Sequence, residues 1–398
     1  MKKIFLICFI PAILSFVFLY LVVFKTSLNR VLWAENSKDV KSSKSFDLII
    51  SYEDQEANEN QFLASDSSRA VIFLLGSSEL INNSPAVPYR FITSHFTTKV
   101  KAIGHAGNQC FSLFAQLLAN TDRLNQAPVT FIISPGWFES KNTKGTSAEV
   151  FLEFNSERFI KSIYRDTADR EFQQYAAKRI SQMYSEFNSP NLLLKLMNEN
   201  YLASKSIIHR ICFEPLICFD RFLLNRKEKL EGLETKVLIP KRLSLSCDSV
   251  RIPWDSLFDA GRADALKKAT NNSMGINNAY YTEYIHGRTG KIEPVDQANN
   301  QELEDFKLLI RLVSAKKVNA SFIISPLNAL YYKNLREIDP TIQLVEKEIQ
   351  DAHFPCLNLL CTDVSKYEKP VLTDIMHMAD YGWYKADQFI VSTYQLNK

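Results

Sequence analysis

The chain has 398 residues, 46% of them hydrophobic and 23% charged, with 11 glycines; at about 3% against a usual 7%, that glycine content excludes collagen-like, glycine-linker and low-complexity classes. Its 47 basic residues nearly cancel 44 acidic ones, giving +3, and with no basic block or stripe the chain does not read as a nucleic-acid binder. The length fits two or three domains, or one large domain carrying an insertion.

After Met1-Lys2-Lys3, residues 4–24 carry no charge and are interrupted only by Pro11 and Ser15. About 20 apolar residues span a bilayer core. The run ends in Lys25, with no small-residue cleavage pattern nearby, so residues 1–24 are predicted to be an uncleaved N-terminal transmembrane helix rather than a signal peptide. Lys2 and Lys3 favour a cytoplasmic N-terminus, with Lys25 and Arg30 weakening that bias. The expected protein is a single-pass plasma-membrane protein whose body lies outside the cytoplasm. Cys8 falls in the anchor, leaving Cys110, Cys212, Cys218, Cys247, Cys356 and Cys361. An even number in an exported domain permits disulfides, Cys212/Cys218 and Cys356/Cys361 being close in sequence, and buried thiols are the equal alternative. None has zinc-site spacing, and no metal or cofactor is implied.

Residues 25–66 are polar and irregular apart from Leu48-Ile49-Ile50, and read as a stalk or lead-in. The texture changes in the domain predicted over 67–398. Residues 70–75 form a continuous apolar run ending at Gly76, as a buried parallel strand would. Similar runs follow at 100–103, 129–133 and 321–324, with a weaker one at 356–360. Between them, Phe111, Phe114, Ala115, Leu117 and Leu118 share one helical face, as do Leu303, Phe306, Leu309, Ile310 and Val313. Strands alternating with helices predict an α/β fold with a parallel sheet covered on both sides. The interval 140–300 breaks this rhythm and reads as a large, mainly helical insertion or lid between the third and fourth of these strands.

In an open parallel sheet, function collects beyond the carboxyl ends of the strands. There the sequence places Gly76-Ser77-Ser78-Glu79-Leu80, Gly104-His105-Ala106-Gly107-Asn108-Gln109, Ser134-Pro135-Gly136-Trp137-Phe138 and Ser325-Pro326-Leu327-Asn328. Asp374-Ile375-Met376-His377 and Gly382-Trp383 come near the C-terminus. A serine after a strand-ending glycine can stand at the mouth of the sheet, where a following helix N-terminus offers N–H groups to an oxyanion. It needs a base to take its proton, and an acid three residues before a histidine can orient that base. Asp374 and His377 have this spacing; Glu283 and His286 form a rival pair. Either motif alone is weak, and the two in this order at strand ends are stronger.

That arrangement is similar to the SGNH/GDSL hydrolase superfamily, whose fold is a three-layer αβα domain. More specifically, the anchor together with Gly76-Ser77-Ser78-Glu79-Leu80, Ser134-Pro135-x-Trp137-Phe138, Pro326-x-Asn328, Asp374-x-x-His377 and Gly382-Trp383 resembles the DltD family, over nearly the whole chain to residue 384. Two features depart from the superfamily and family patterns: Gly136 stands where glutamine is more usual, and no G-x-N-D motif is present. The resemblance implies Ser78 as nucleophile, with Ser77 in the aspartate position of Gly-Asp-Ser-Leu, His377 as base and Asp374 as its orienter. It implies the N–H groups of Ser78 and Gly107 as oxyanion donors, helped by Asn108 or Gln109, and puts Trp137 and Asn328 either at the site or in packing and turn-capping roles. It implies a part in D-alanylation of teichoic acids, beside a membrane-bound O-acyltransferase and a D-alanyl carrier protein. Three activities stay open: transfer of D-alanine through an acyl-serine to hydroxyls of teichoic acid or a related surface glycan, hydrolysis by an esterase or thioesterase, and non-catalytic binding of a partner at the membrane. The six exported cysteines leave a Gram-negative host and a different acceptor glycan open.

Overall fold

The computed structural model describes residues 48–49, 70–125, 127–139, 144–155, 157–164, 169–187, 198, 201–202, 252–293 and 295–396. The apolar run 4–24, most of the lead-in, and Cys212, Cys218 and Cys247 lie outside the described residues. Among the described residues, no helix is long and apolar enough to cross a membrane.

Six strands, β1 (Leu48–Ile49), β2 (Val71–Gly76), β3 (Lys99–Gly104), β4 (Val129–Ile133), β5 (Ala320–Ile324) and β6 (Cys356–Asn358), form one parallel sheet in the order β1-β3-β2-β4-β5-β6. Every residue of β2, β4 and β5 is buried, which is why these strands read as unbroken apolar runs rather than alternating ones. The apolar patch of the lead-in is itself a strand: Leu48 pairs with Ala102 and Ile49 with Ile103, so the sheet begins inside the segment expected to be a stalk. Two residues are too few for a periodic signal, and only the neighbouring β3 edge identifies them.

The chain leaves β2 to one side for β3 and returns to the other for β4. Strand order therefore reverses between β2 and β4, which opens a crevice beyond their carboxyl ends. Helices cover both faces. On one, Phe73, Leu75, Phe131, Ile133, Phe322 and Ile324 share a core with α2 (Cys110–Ala119), α5 (Arg170–Phe187) and α7 (Gln301–Ala315). On the other, Ile72, Leu74, Val100, Ala102, Ile132 and Ile323 pack with α1 (Pro88–His95) and α9 (Asp380–Tyr394). Between α2 and α5, α3 (Ala148–Phe154) contributes Phe151 and α4 (Glu157–Ile163) contributes Phe159, Ile160 and Ile163 to the first core. Trp254 and Leu257 of α6 (Trp254–Lys268) pack on the second. Four helices of the 140–300 interval, α3 to α6, thus pack on the two cores. A further helix, α8 (Asp339–Asp351), leads into β6. Cys356 and Cys361, close in sequence, are free thiols, and burial pushes the Cys356 thiol up to about 12.

The C-terminal helix is pinned to the sheet by a polar contact in an otherwise apolar layer. The Tyr394 hydroxyl lies 2.9 Å from the Val129 carbonyl oxygen and 2.9 Å from the Ser321 hydroxyl, which is itself 3.0 Å from Thr130 Oγ1. Removing that hydroxyl leaves a buried carbonyl one partner short. Tyr394→Phe is expected to cost about 1–2 kcal/mol, read as a lower denaturant midpoint at unchanged slope.

Candidate active site

Beyond Gly76 the chain turns at Ser77 (φ −122°, ψ −138°) and enters a short 3-10 turn, Ser78–Leu80. Ser78 Oγ lies 3.0 Å from His377 Nε2 across 299 residues of sequence, and His377 Nδ1 lies 2.7 Å from Asp374 Oδ2. With a carboxylate on Nδ1, the neutral ring keeps its proton there and turns the Nε2 lone pair to the serine. The other Asp374 oxygen, Oδ1, accepts from the backbone N–H groups of Met376 (2.8 Å) and His377 (2.7 Å). A Leu372–Met378 bridge and a bond from the Thr373 N–H to the His377 carbonyl (2.9 Å) close the loop. Burial pulls the His377 pKa down, but the bond and charge of Asp374 and the charge of Glu79 outweigh it, and the net direction is upward.

Asn328 holds this loop from beneath. It is fully buried; Nδ2 donates to the Met274 carbonyl (3.1 Å) and, at 3.5 Å, to that of Asp374, while Oδ1 accepts from the Leu330 and Tyr331 N–H groups (3.0 Å each). Its amide is spent on backbone, so of the two readings of Asn328 the turn-capping one fits the geometry. Two further bonds tie the serine segment to the histidine segment: Asn82 Nδ2 donates to the Met378 carbonyl (3.2 Å) and Ser84 Oγ to Asp380 Oδ1 (2.5 Å).

The loop after β3 forms the opposite wall. Gly107 takes φ +76°, and a Cβ there would sit 2.8 Å from Val150 Cγ1, so the position is closed to other residues by conformation and by space. Asn108 is fully buried; its Nδ2 donates to the Gly76 carbonyl (2.6 Å) and its Oδ1 accepts from Gln116 Nε2 (3.1 Å). Its side chain is therefore a strut between the β2 and β3 ends, not a donor facing the crevice. Gln109 is half-buried at the start of α2 and makes no capping bond. That role falls to Glu302 of α7, whose Oε1 accepts from the Cys110 N–H at 2.6 Å. Among the described residues, no turn or cap bond engages the N–H of Ser78 or of Gly107.

Ser77 is buried and donates its hydroxyl to the His105 carbonyl (3.0 Å). His105 stacks on Phe154 (3.8 Å, 9°), and burial pushes its pKa down to about 4, so it is neutral near pH 7. Trp137, in the 3-10 turn Pro135–Phe138, is buried in the core beside α7. The rival histidine, His286, is exposed, and its Nε2 lies 3.0 Å from the backbone carbonyl oxygen of Glu283.

Comparison with known proteins identifies the family. A family model described as "DltD protein" matches residues 48–395. The chain belongs to the DltD family. Among its relatives, Protein DltD of Staphylococcus aureus is 23% identical over 332 residues, covering 80% of this chain and 79% of the relative. The DltD proteins of Lacticaseibacillus rhamnosus and Bacillus subtilis are each 21% identical, over 79% and 82% of this chain and 75% and 82% of theirs. In this DltD-family chain Gly136 is not imposed by the backbone, since a Cβ there would meet nothing closer than Glu139 Oε1 at 3.7 Å.

Two site residues had no role from sequence. Glu79 lay inside a motif already singled out; Glu302 lies 192 residues from the N–H it caps, with no local signal. Asp374→Asn removes the charge that raises the His377 pKa, so the imidazole is expected to titrate at lower pH in the variant, followed by NMR of the ring protons. The stability at stake is fully present below the ordinary histidine value and fades as pH rises through the folded-state value, so the variant's deficit shrinks in the same direction.

Proposed function

We propose that this DltD-family protein is a serine-dependent acyl transfer enzyme of cell-envelope D-alanylation. The observation that carries the reading is the Ser78–His377–Asp374 relay at 3.0 and 2.7 Å, set at the strand-order reversal of a parallel sheet. The architecture also fits an SGNH-type three-layer αβα domain that begins at β1, before the boundary expected at residue 67, with its insertion at about 140–300.

In the first half-reaction Ser78 Oγ attacks the carbonyl carbon of a D-alanyl ester or thioester, and His377 Nε2 takes the hydroxyl proton. Charge developing on the carbonyl oxygen is met by the N–H groups of Ser78 and Gly107. The tetrahedral adduct collapses with the leaving alcohol or thiol, which receives the proton from His377, and an acyl-serine remains. In the second half a hydroxyl of teichoic acid or a related surface glycan loses its proton to His377 and attacks that ester; Ser78 leaves and recovers the proton. Asp374 keeps the ring oriented and stabilises the imidazolium throughout. Asn108 and Asn328 position the two walls.

The apolar run 4–24 would fix the enzyme in the plasma membrane with its N-terminus in the cytoplasm and the catalytic domain outside. Residues 25–47 would then lead from anchor to the first strand of the domain. A membrane-bound O-acyltransferase and a D-alanyl carrier protein are the partners this placement suits. In a strain making only the Ser78→Ala protein, ester-linked D-alanine of the envelope is expected to vanish at normal protein abundance. An unchanged D-alanine content would remove Ser78 as the nucleophile.

A further inference from the structure

Glu79 is a buried carboxyl group, 6% exposed, one residue after the nucleophile proposed above. Its Oε1 accepts the Ser77 backbone N–H at 2.7 Å, and its own backbone N–H also acts on it. The fit is close: a Cβ on Gly76 would lie 2.6 Å from Glu79 Oε1, so any side chain at 76 would displace the carboxylate. Ser77 is thereby fixed from both ends, its N–H by Glu79 and its hydroxyl by the His105 carbonyl at 3.0 Å. The next N–H along the chain is that of Ser78.

A glutamine would supply the same acceptor without taking a charge out of water, which is costly for an ion lacking a close counter-ion. Burial raises the Glu79 pKa, and the Ser77 and Glu79 N–H groups and the charge of His377 act against that rise; the charges acting on His377 are those of Asp374 and Glu79. His377 thus carries one carboxylate bonded to Nδ1 at 2.7 Å and is bonded through Nε2, at 3.0 Å, to the residue immediately before Glu79.

We propose that Glu79 is a positioning residue with two effects: its carboxylate fixes the Ser77–Ser78 turn through the Ser77 N–H, and it acts on His377 as a second negative charge. This rests on Ser78 being the nucleophile. The first effect needs only an acceptor; the second needs the charge. Two substitutions separate them.

The test uses the full chain in membranes and follows labelling of Ser78 by a fluorophosphonate across pH, with Ser78→Ala as the blank. Attack on phosphorus requires neutral His377, so the wild-type rate rises as pH passes through the histidine pKa. Glu79→Gln keeps the acceptor and is expected to retain most of the maximal rate, with the midpoint of the profile moved to lower pH. Glu79→Leu removes the acceptor and is expected to lose roughly a hundredfold, the order seen when an oxyanion donor is misplaced. A purely structural role would lower thermal stability without moving the pH midpoint. A Glu79→Gln profile superimposed on wild type, or a folded Glu79→Leu protein labelling at the wild-type rate, overturns the inference while leaving the nucleophile in place. If Glu79→Leu does not fold, the Glu79→Gln midpoint alone decides. Absence of labelling at Ser78 in the wild type overturns both.

Discussion

The Asp374 carboxylate is the interaction on which the rest of the site depends. One oxygen orders its own loop by accepting two backbone N–H groups, and the other orients His377. A single side chain thus sets both where the imidazole hangs and which way it faces. Hydrogen bonds to an ionised acceptor are shorter and stronger than neutral ones, which suits a loop with no helix or strand to hold it. Asn328 extends the same arrangement downward, gripping the carbonyl of Asp374 from the end of β5.

A second fixed point is the start of α7. Asn300 caps the helix by accepting the Leu303 N–H at 3.0 Å and donates to the Phe138 carbonyl at 2.9 Å, tying in the loop after β4. Glu302 ties in the loop after β3. Asp305, one turn on, pairs with Arg179 at 3.1 Å and accepts from Tyr175 at 2.6 Å. Burial and the neighbouring Asp305 push Glu302 up to about 8; burial also raises Asp305, against which Arg179 and its bonds act. One guanidinium cannot neutralise two buried carboxylates, so Asp305, which contacts it directly, is the better placed to carry the charge. Two walls of the crevice are therefore fastened to one helix terminus deep in the domain.

The sheet was legible in the sequence because its central strands are buried on both faces, and continuous apolar runs such as residues 70–75 leave few other readings. The pairing of Asp374 with His377 was legible because it is local. What escaped has a common physical cause: these contacts join residues distant in the chain and carry no periodicity. β1 exists only by pairing with β3. Asn108 looked like a donor to substrate, yet its amide is consumed by the Gly76 carbonyl 32 residues away. Trp137, in a motif that suggested the site, is held in the core. Residue type proposes chemistry, but which neighbour takes a side chain's donors decides between catalysis and bracing.

The links from Asn82 to Met378 and from Ser84 to Asp380 have a mechanical consequence. They clip the segment after the serine to the segment after the histidine. When the layers breathe, the two segments are carried as one body, so displacement common to both is free while relative displacement is resisted. A misplacement of about 1 Å between reacting groups can cost a hundredfold in rate. The domain can thus be soft as a whole and still keep the serine-to-imidazole distance, because the stiffness that matters lies in the short mechanical loop spanning the pair.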